Sequence, residues 1–169
     1  MIWLKLAGTR VISNKMAAIK RRVHRGDLQR DPYAAWNALV DVIAYSKHYG
    51  TMSEIQRAPH LAFRYESEVQ NGGHLQFFEN EPVDAIEQTL VSLGVLGADV
   101  YVPILSEAIN RRRSRPRQSL QSGSDYVEEA LGGEFADLDL AYYNAQPSMI
   151  KLLEDYLHQW QDEFIIVEC

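Results

Sequence analysis

Apolar positions recur at helical spacing along most of this chain. Asp31-Pro32 opens the first firm stripe, an acidic cap followed by a proline in the first turn. Tyr33, Trp36, Leu39, Val40 and Ile43 share one face, and Gly50 is the expected stop. Ser53-Glu54-Ile55-Gln56 has the capping-box pattern and begins a second helix. Leu61, Tyr65 and Val69 form its apolar face, and Pro59 predicts a kink or division in its early turns. Asn71-Gly72-Gly73 predicts its end, because Asn and Gly enter the left-handed region cheaply; Gly72 is the expected left-handed residue. Glu81-Pro82 restarts the chain into a helix carrying Val83, Ile86, Leu90 and Leu93, which Gly94 stops. The next helix carries Val100, Tyr101, Ile104, Leu105, Ala108 and Ile109, with Pro103 near its start, and runs out into residues 111–117. Residues 114–124, rich in Ser, Gln, Gly and Pro, predict a loop. A short helix is expected from Asp125 to Leu131 and another from Glu134 to Asn144, with Phe135, Leu138 and Tyr142 inward. Ser148 caps the last helix, whose stripe is Ile150, Leu153, Tyr156, Leu157, Trp160 and Phe164. No alternating strand pattern persists and no repeat is visible. The expected fold is all-α: a single compact multi-helix domain over residues 31–169, with a kinked central helix ending at an Asn-Gly-Gly corner. A basic N-terminal extension, residues 1–30, precedes it and is expected to lie outside the domain, mobile or packed on a partner.

The corner concentrates polar groups beside a hydrophobic pair. Gln76 and Asn80 flank Phe77-Phe78 and lie one helical turn apart, hence on one face. A buried amide without a partner costs on the order of 1–3 kcal/mol. The expected partners are the carbonyls of the helix ending at Asn71 and the amides of the turn starting near Gly73. Glu68, Asn71, Gln76 and Asn80 are therefore first taken as ties that hold the corner together. The alternative is a small-ligand or enzyme site lined by the same four residues.

The run Glu68-Val69-Gln70-Asn71-Gly72-Gly73-His74-Leu75-Gln76-Phe77-Phe78-Glu79-Asn80 resembles the Glu-Val-x-Asn-Gly-Gly-x-x-Gln-Phe/Tyr-Phe-x-Asn signature of the DNA-mimic protein family. The similarity extends more weakly from about Tyr33 to about Ile165 and includes the Tyr142-Tyr143 pair. It implies a bacterial all-helical acidic domain, homodimeric, whose best understood behaviour is imitation of duplex DNA. The implied partner is a DNA-binding protein, such as a transcription factor, whose DNA-binding surface is occupied. A helical interaction module of some other role is the alternative.

Charge sharpens this expectation. The chain has 169 residues and a formal net charge of -6. Residues 1–30 carry +7, residues 31–117 carry -3, and residues 118–169 carry -10 with Lys151 as their only base. An acidic molecule does not seek nucleic acid itself. The acids expected to face a partner are Glu128, Glu129, Glu134, Asp137, Asp139, Glu154, Asp155, Asp162 and Glu163. Duplex DNA presents one charge per roughly 1.7 Å of axis. An acid every fourth helical residue gives one per about 6 Å, so several acidic helices, or a dimer, are needed to approach that density. The bland alternative is a solubilising surface. Arg111, Arg112, Arg113, Arg115 and Arg117 either hold phosphate or a partner's acids, or form a solvated loop or pair with acids of this chain; the second reading, solvated or self-paired, is preferred.

Composition and motifs exclude much else. No phosphate loop, zinc cysteine cluster, His-Glu-x-x-His pair or nucleophile elbow is present, so no catalytic residue, metal or cofactor is expected and the chain is not read as an enzyme. Glu154, His158 and Asp162 fall at i, i+4, i+8, which permits a metal, but a solvated face is the preferred reading. His60 and His74 flank the corner motif and are each weak evidence for acid–base chemistry. Cys169 is the single cysteine, which points to a reducing, cytoplasmic setting. No apolar run is long enough to span a membrane.

Overall fold

The computed structural model describes residues 19–44, 46–114 and 122–169. Among them are eight α-helices: α1 (Arg25–Arg30), α2 (Ala34–Ile43), α3 (Glu54–Asn80), α4 (Val83–Val95), α5 (Tyr101–Ser114), α6 (Gly123–Leu131), α7 (Ala136–Asn144) and α8 (Met149–Trp160). The all-helical expectation therefore holds. Helix α3 is the spine: α2, α4, α7 and α8 all pack against it. Tyr65 and Phe77 of α3 are fully buried against the cluster that includes Leu39, Ile43, Leu93, Leu105, Leu153 and Phe164.

Several boundaries differ from the sequence expectation. Helix α2 stops at Ala44, and a 3-10 turn at Ser46–Thr51 precedes α3, so Gly50 is not its terminator. Gly94 lies inside α4. The positive-φ residue is Gly97, at φ 69°. There the Ala98 amide closes back on the Leu93 carbonyl at 2.8 Å and the Gly97 amide on the Gly94 carbonyl at 3.2 Å, which is the Schellman arrangement.

Pro59 does not divide α3, whose only non-helical residues are Gly72 and Gly73. A proline leaves the carbonyl four residues earlier without its helical donor. That carbonyl belongs to Ile55, and the Tyr156 hydroxyl of α8 donates to it at 3.1 Å.

The ends of the chain depart most from expectation. Arg21–His24 (β1) and Ile165–Glu168 (β2) form a parallel pair, with Arg21 opposite Ile165. Residues 19–30 thus pack on the helical body instead of lying outside it; residues 1–18 are outside those described. Gln56 fastens both ends. Its Oε1 accepts from the Ser53 amide at 3.2 Å, completing the capping box. Its Nε2 donates to the Ile19 and Glu163 carbonyls, each at 2.7 Å. A capping box accepts Glu or Gln equally well, but only the amide can also donate to two carbonyls.

Gln56→Glu is therefore expected to destabilise the protein although it preserves the cap. Two carbonyls lose their donor and face a carboxylate, a loss on the order of 2–3 kcal/mol. Thermal melts should show the midpoint lower by roughly 4–10 °C. A midpoint within about 2 °C of the native one would mean that the amide does not hold the termini.

Candidate functional site

The corner breaks the helical ladder of α3, and its structure follows from what replaces the lost hydrogen bonds. Gly73 has φ 70° and ψ -172°, a region essentially restricted to glycine. Gly72 has φ -162° and ψ 25°, so Gly73, not Gly72, is the residue with positive φ. A Cβ on Gly73 would also lie 2.5 Å from Asp139 Oδ2. Gly72 is constrained by space instead: its Cβ would lie 2.3 Å from Gln76 Oε1 and 2.8 Å from the Tyr126 hydroxyl.

The groups that satisfy the break come from far along the chain. Asp139 Oδ1 accepts from the His74 backbone amide at 2.9 Å and from His74 Nδ1 at 2.6 Å. The proton on Nδ1 leaves Nε2 to accept from the Tyr65 hydroxyl at 2.8 Å. Burial raises Tyr65 well above the ordinary tyrosine value, which keeps that hydroxyl a donor. Val69 lies four residues before Gly73, so its carbonyl is the one a regular helix would pair with the Gly73 amide. The Tyr143 hydroxyl donates to it at 2.8 Å. Tyr142 donates to Glu66, and burial followed by the Glu66 charge pushes its hydroxyl pKa far above normal. Its ring packs 5.2 Å from Tyr65 and 4.9 Å from Tyr101. Asp139, Tyr142 and Tyr143 fall at i, i+3, i+4, one face of α7 turned toward the corner.

The amides are tied differently from the sequence expectation. Gln76 Nε2 and Asn80 Nδ2 both donate to Glu68 Oε2, at 2.9 and 2.7 Å, instead of reaching the helix ends. Phe77 and Phe78 are buried beneath them, and Asn71 is exposed. The hollow at the corner, about 90 Å³, is lined by Gly72, Gly133, Phe135 and Asp139, not by Glu68 or Gln76.

The arginine run is spent on acids of this chain. Arg111 grips both carboxylate oxygens of Asp137, at 2.6 and 2.8 Å, and also reaches Glu107 at 3.0 Å. Arg112 pairs with Glu79 at 2.7 Å and Arg113 with Glu87 at 2.6 Å. Arg115 and Arg117 lie outside the described residues.

The nine acids expected on a partner-facing surface therefore divide. Asp137 is neutralised by Arg111, and Asp155 pairs with Lys151 at 2.5 Å. Asp139 is turned inward onto His74, with its side chain 25% exposed. Both carboxylate oxygens of Glu134 are buried. Glu154, Asp162 and Glu163 have no described cation within ion-pair distance, and of these Asp162 is exposed. Glu128 and Glu129 fall on α6, their side chains outside those described. Sequence reasoning did not single out Glu66, which the structure adds to the corner; the one-face spacing of 139, 142 and 143 was the available signal for the rest of its α7 partners. Among the described residues, no three His, Cys, Asp or Glu side chains are grouped to hold a metal ion, and no helix is long and apolar enough to cross a membrane.

A protein-family model described as "DMP19-like protein" matches residues 50–160. Neither the search of curated proteins nor that of solved structures found a match.

Two measurements check the site. Gly73→Ala forces a side chain into a glycine-only conformation, at about 1–3 kcal/mol for the backbone alone, and against Asp139. Its melting midpoint should fall by roughly 4–10 °C. Gly72→Ala, hindered mainly by the Gln76 side chain, should fall less, and the reverse order would contradict the assignment. The second check uses pH. Arg111 holds Asp137 down to a pKa of about 2. The pair's contribution is present above the ordinary carboxylate pKa and is lost as pH falls from there through about 2. Asp137→Asn should flatten that acid limb of the stability profile, and an unchanged slope would show that the pair contributes nothing.

Proposed function

The chain belongs to the DMP19-like protein family, whose model spans residues 50–160, and on that premise we propose that it acts as a DNA mimic. It is an acidic helical protein that occupies the DNA-binding surface of a transcription factor or another DNA-binding protein. The family match is the observation that carries this reading. The uneven charge supports it: residues 118–169 carry eleven acids against Lys151. Arg111, Arg112 and Arg113 compensate acids beside α5 and leave the end of α8 acidic, with Glu154, Asp162 and Glu163 unpaired among the described residues. One helix is too sparse to match duplex charge density, so the proposal includes a homodimer that doubles the array. Catalysis has no part in it. The corner amides are consumed by Glu68, so they act as structural ties and not as ligand groups.

Attraction of this kind is electrostatic and fades with salt, because the screening length is about 8 Å at 0.15 M. The expected outcome is that the protein displaces labelled operator DNA from a captured DNA-binding partner, more effectively at low salt. The combined substitutions Glu128→Lys, Glu129→Lys, Glu154→Lys and Asp155→Lys should abolish displacement while leaving the melting curve close to native. Undiminished displacement by that variant would reduce these acids to a solubilising role. If no DNA-binding protein is captured from a lysate of the source organism, the general interaction-module reading takes precedence.

A further inference from the structure

Away from the acidic end of α8, and meeting the corner only at Asn80, a cleft of about 430 Å³ opens between the 3-10 turn, α3 and the start of α4. Its volume is within the range of small-molecule sites. Tyr49, Leu61, Pro82 and Ala85 supply apolar walls, and His60, Arg64, Asn80, Glu81, Asp84 and Gln88 supply the polar groups. The Tyr49 hydroxyl donates to Gln88 Oε1 at 2.5 Å, joining the turn to α4. The guanidinium of Arg57 lies 5.3 Å from the centre of the Tyr49 ring and steadies that wall.

The chemistry of the cleft narrows what it can take. His60 is only 2% exposed, and its Nδ1 faces the Ile43 carbonyl. A carbonyl only accepts, so Nδ1 holds the proton and Nε2 keeps its lone pair. Burial also lowers the His60 pKa, which keeps the ring neutral. No hydrogen bond among the described residues uses Nε2. Arg64 turns its Nε and Nη2 onto Glu81 Oε1, so these two charges compensate each other inside the cleft. The Glu81 side chain is 5% exposed, too buried to take a second charge cheaply. Asp84 on the lining adds a carboxylate that disfavours an anion. What remains is an aromatic and aliphatic slot with two neutral acceptors, His60 Nε2 within it and the side-chain oxygen of Asn80, whose Nδ2 is held by Glu68, at its edge.

We propose that this cleft binds a small, neutral, planar aromatic molecule that carries a ring N–H donor directed at His60 Nε2. The apolar walls take the ring face, and the donor satisfies the one imidazole nitrogen that the fold leaves open. The site is independent of the DNA-mimic reading and does not overlap the acids proposed to meet a partner.

The test is a nuclear magnetic resonance titration of the full chain with indole, followed at His60, Leu61 and Ala85, with 1-methylindole as the control that lacks the donor. Saturable shifts confined to these residues are expected at indole concentrations on the order of millimolar. 1-Methylindole should bind about five- to tenfold more weakly, the equivalent of one lost hydrogen bond. Ala85→Phe, which fills the slot, should remove the shifts. The comparison of the two indoles uses the native protein and decides the matter even if Ala85→Phe fails to fold. Absence of saturable shifts, shifts centred elsewhere, equal affinity for the two indoles, or full binding by a folded Ala85→Phe variant would each overturn the proposal.

Discussion

A helix that is broken in the middle of a core leaves backbone groups that no longer pair with each other, and each must be satisfied or costs on the order of 1–3 kcal/mol. That constraint at Gly73 organises this protein. The amide of His74 just after the break and the carbonyl of Val69 just before it are both taken by α7, through Asp139 and Tyr143. Residues more than sixty positions apart in sequence are thereby fixed against each other. The same face of α7 carries Tyr142, whose ring fills the space between Tyr65 and Tyr101. Polar satisfaction of the corner and packing of the core therefore come from one face of α7, with Asp139 and Tyr143 on the backbone groups and Tyr142 in the core.

The same logic recurs at lower intensity along α3. Pro59 leaves the Ile55 carbonyl open and Tyr156 of α8 fills it, so a residue that weakens the helix locally gives a second helix its docking point. Gln56 extends the principle to the ends of the chain, where one side-chain amide links the helix cap to Ile19 and Glu163. Long α3 thus holds its neighbours through interruptions and caps as well as through its apolar stripe.

Electrostatics sorts the surface into two parts. Around α5 each of Arg111, Arg112 and Arg113 is matched to a carboxylate of another element or turn, which neutralises acids that sequence alone would count toward a negative face. Net charge is thus a poor guide to the local field. Tyr126 and Tyr143, at the corner, feel it directly: burial and then nearby carboxylates, Glu79 and Asp139 for the first and Asp139 and Glu66 for the second, raise both hydroxyls above their ordinary value. The corner is an electronegative region made of acids used structurally, distinct from the acidic end of α8.

Local rules alone determined much of this molecule. The Ser53 capping box, the Ser148 cap, the break at Asn71-Gly72-Gly73 and most of each helical stripe depend on residues within a turn or two of each other and are present where the chain predicts them, whereas Tyr33, Val83 and Trp160 of the expected stripes are exposed. The signature-like run around the break was equally legible. Tertiary structure decided whatever depends on a partner distant in sequence. That Gly73 takes positive φ and that Gln76 and Asn80 share Glu68 belong to the geometry of the break within α3, and that Asp139 turns inward belongs to α7 packing on α3. Four-residue strands at opposite ends of the chain carry too few positions to show a period of two, and they pair only because the helical body brings the ends together. Acids at helical spacing cannot reveal which of them meet a cation, since Arg111 finds Asp137 across 26 residues of sequence. Short-range geometry is written in the order of residues, whereas satisfaction of buried polar groups and pairing of charges are settled by what the fold brings within a few ångströms.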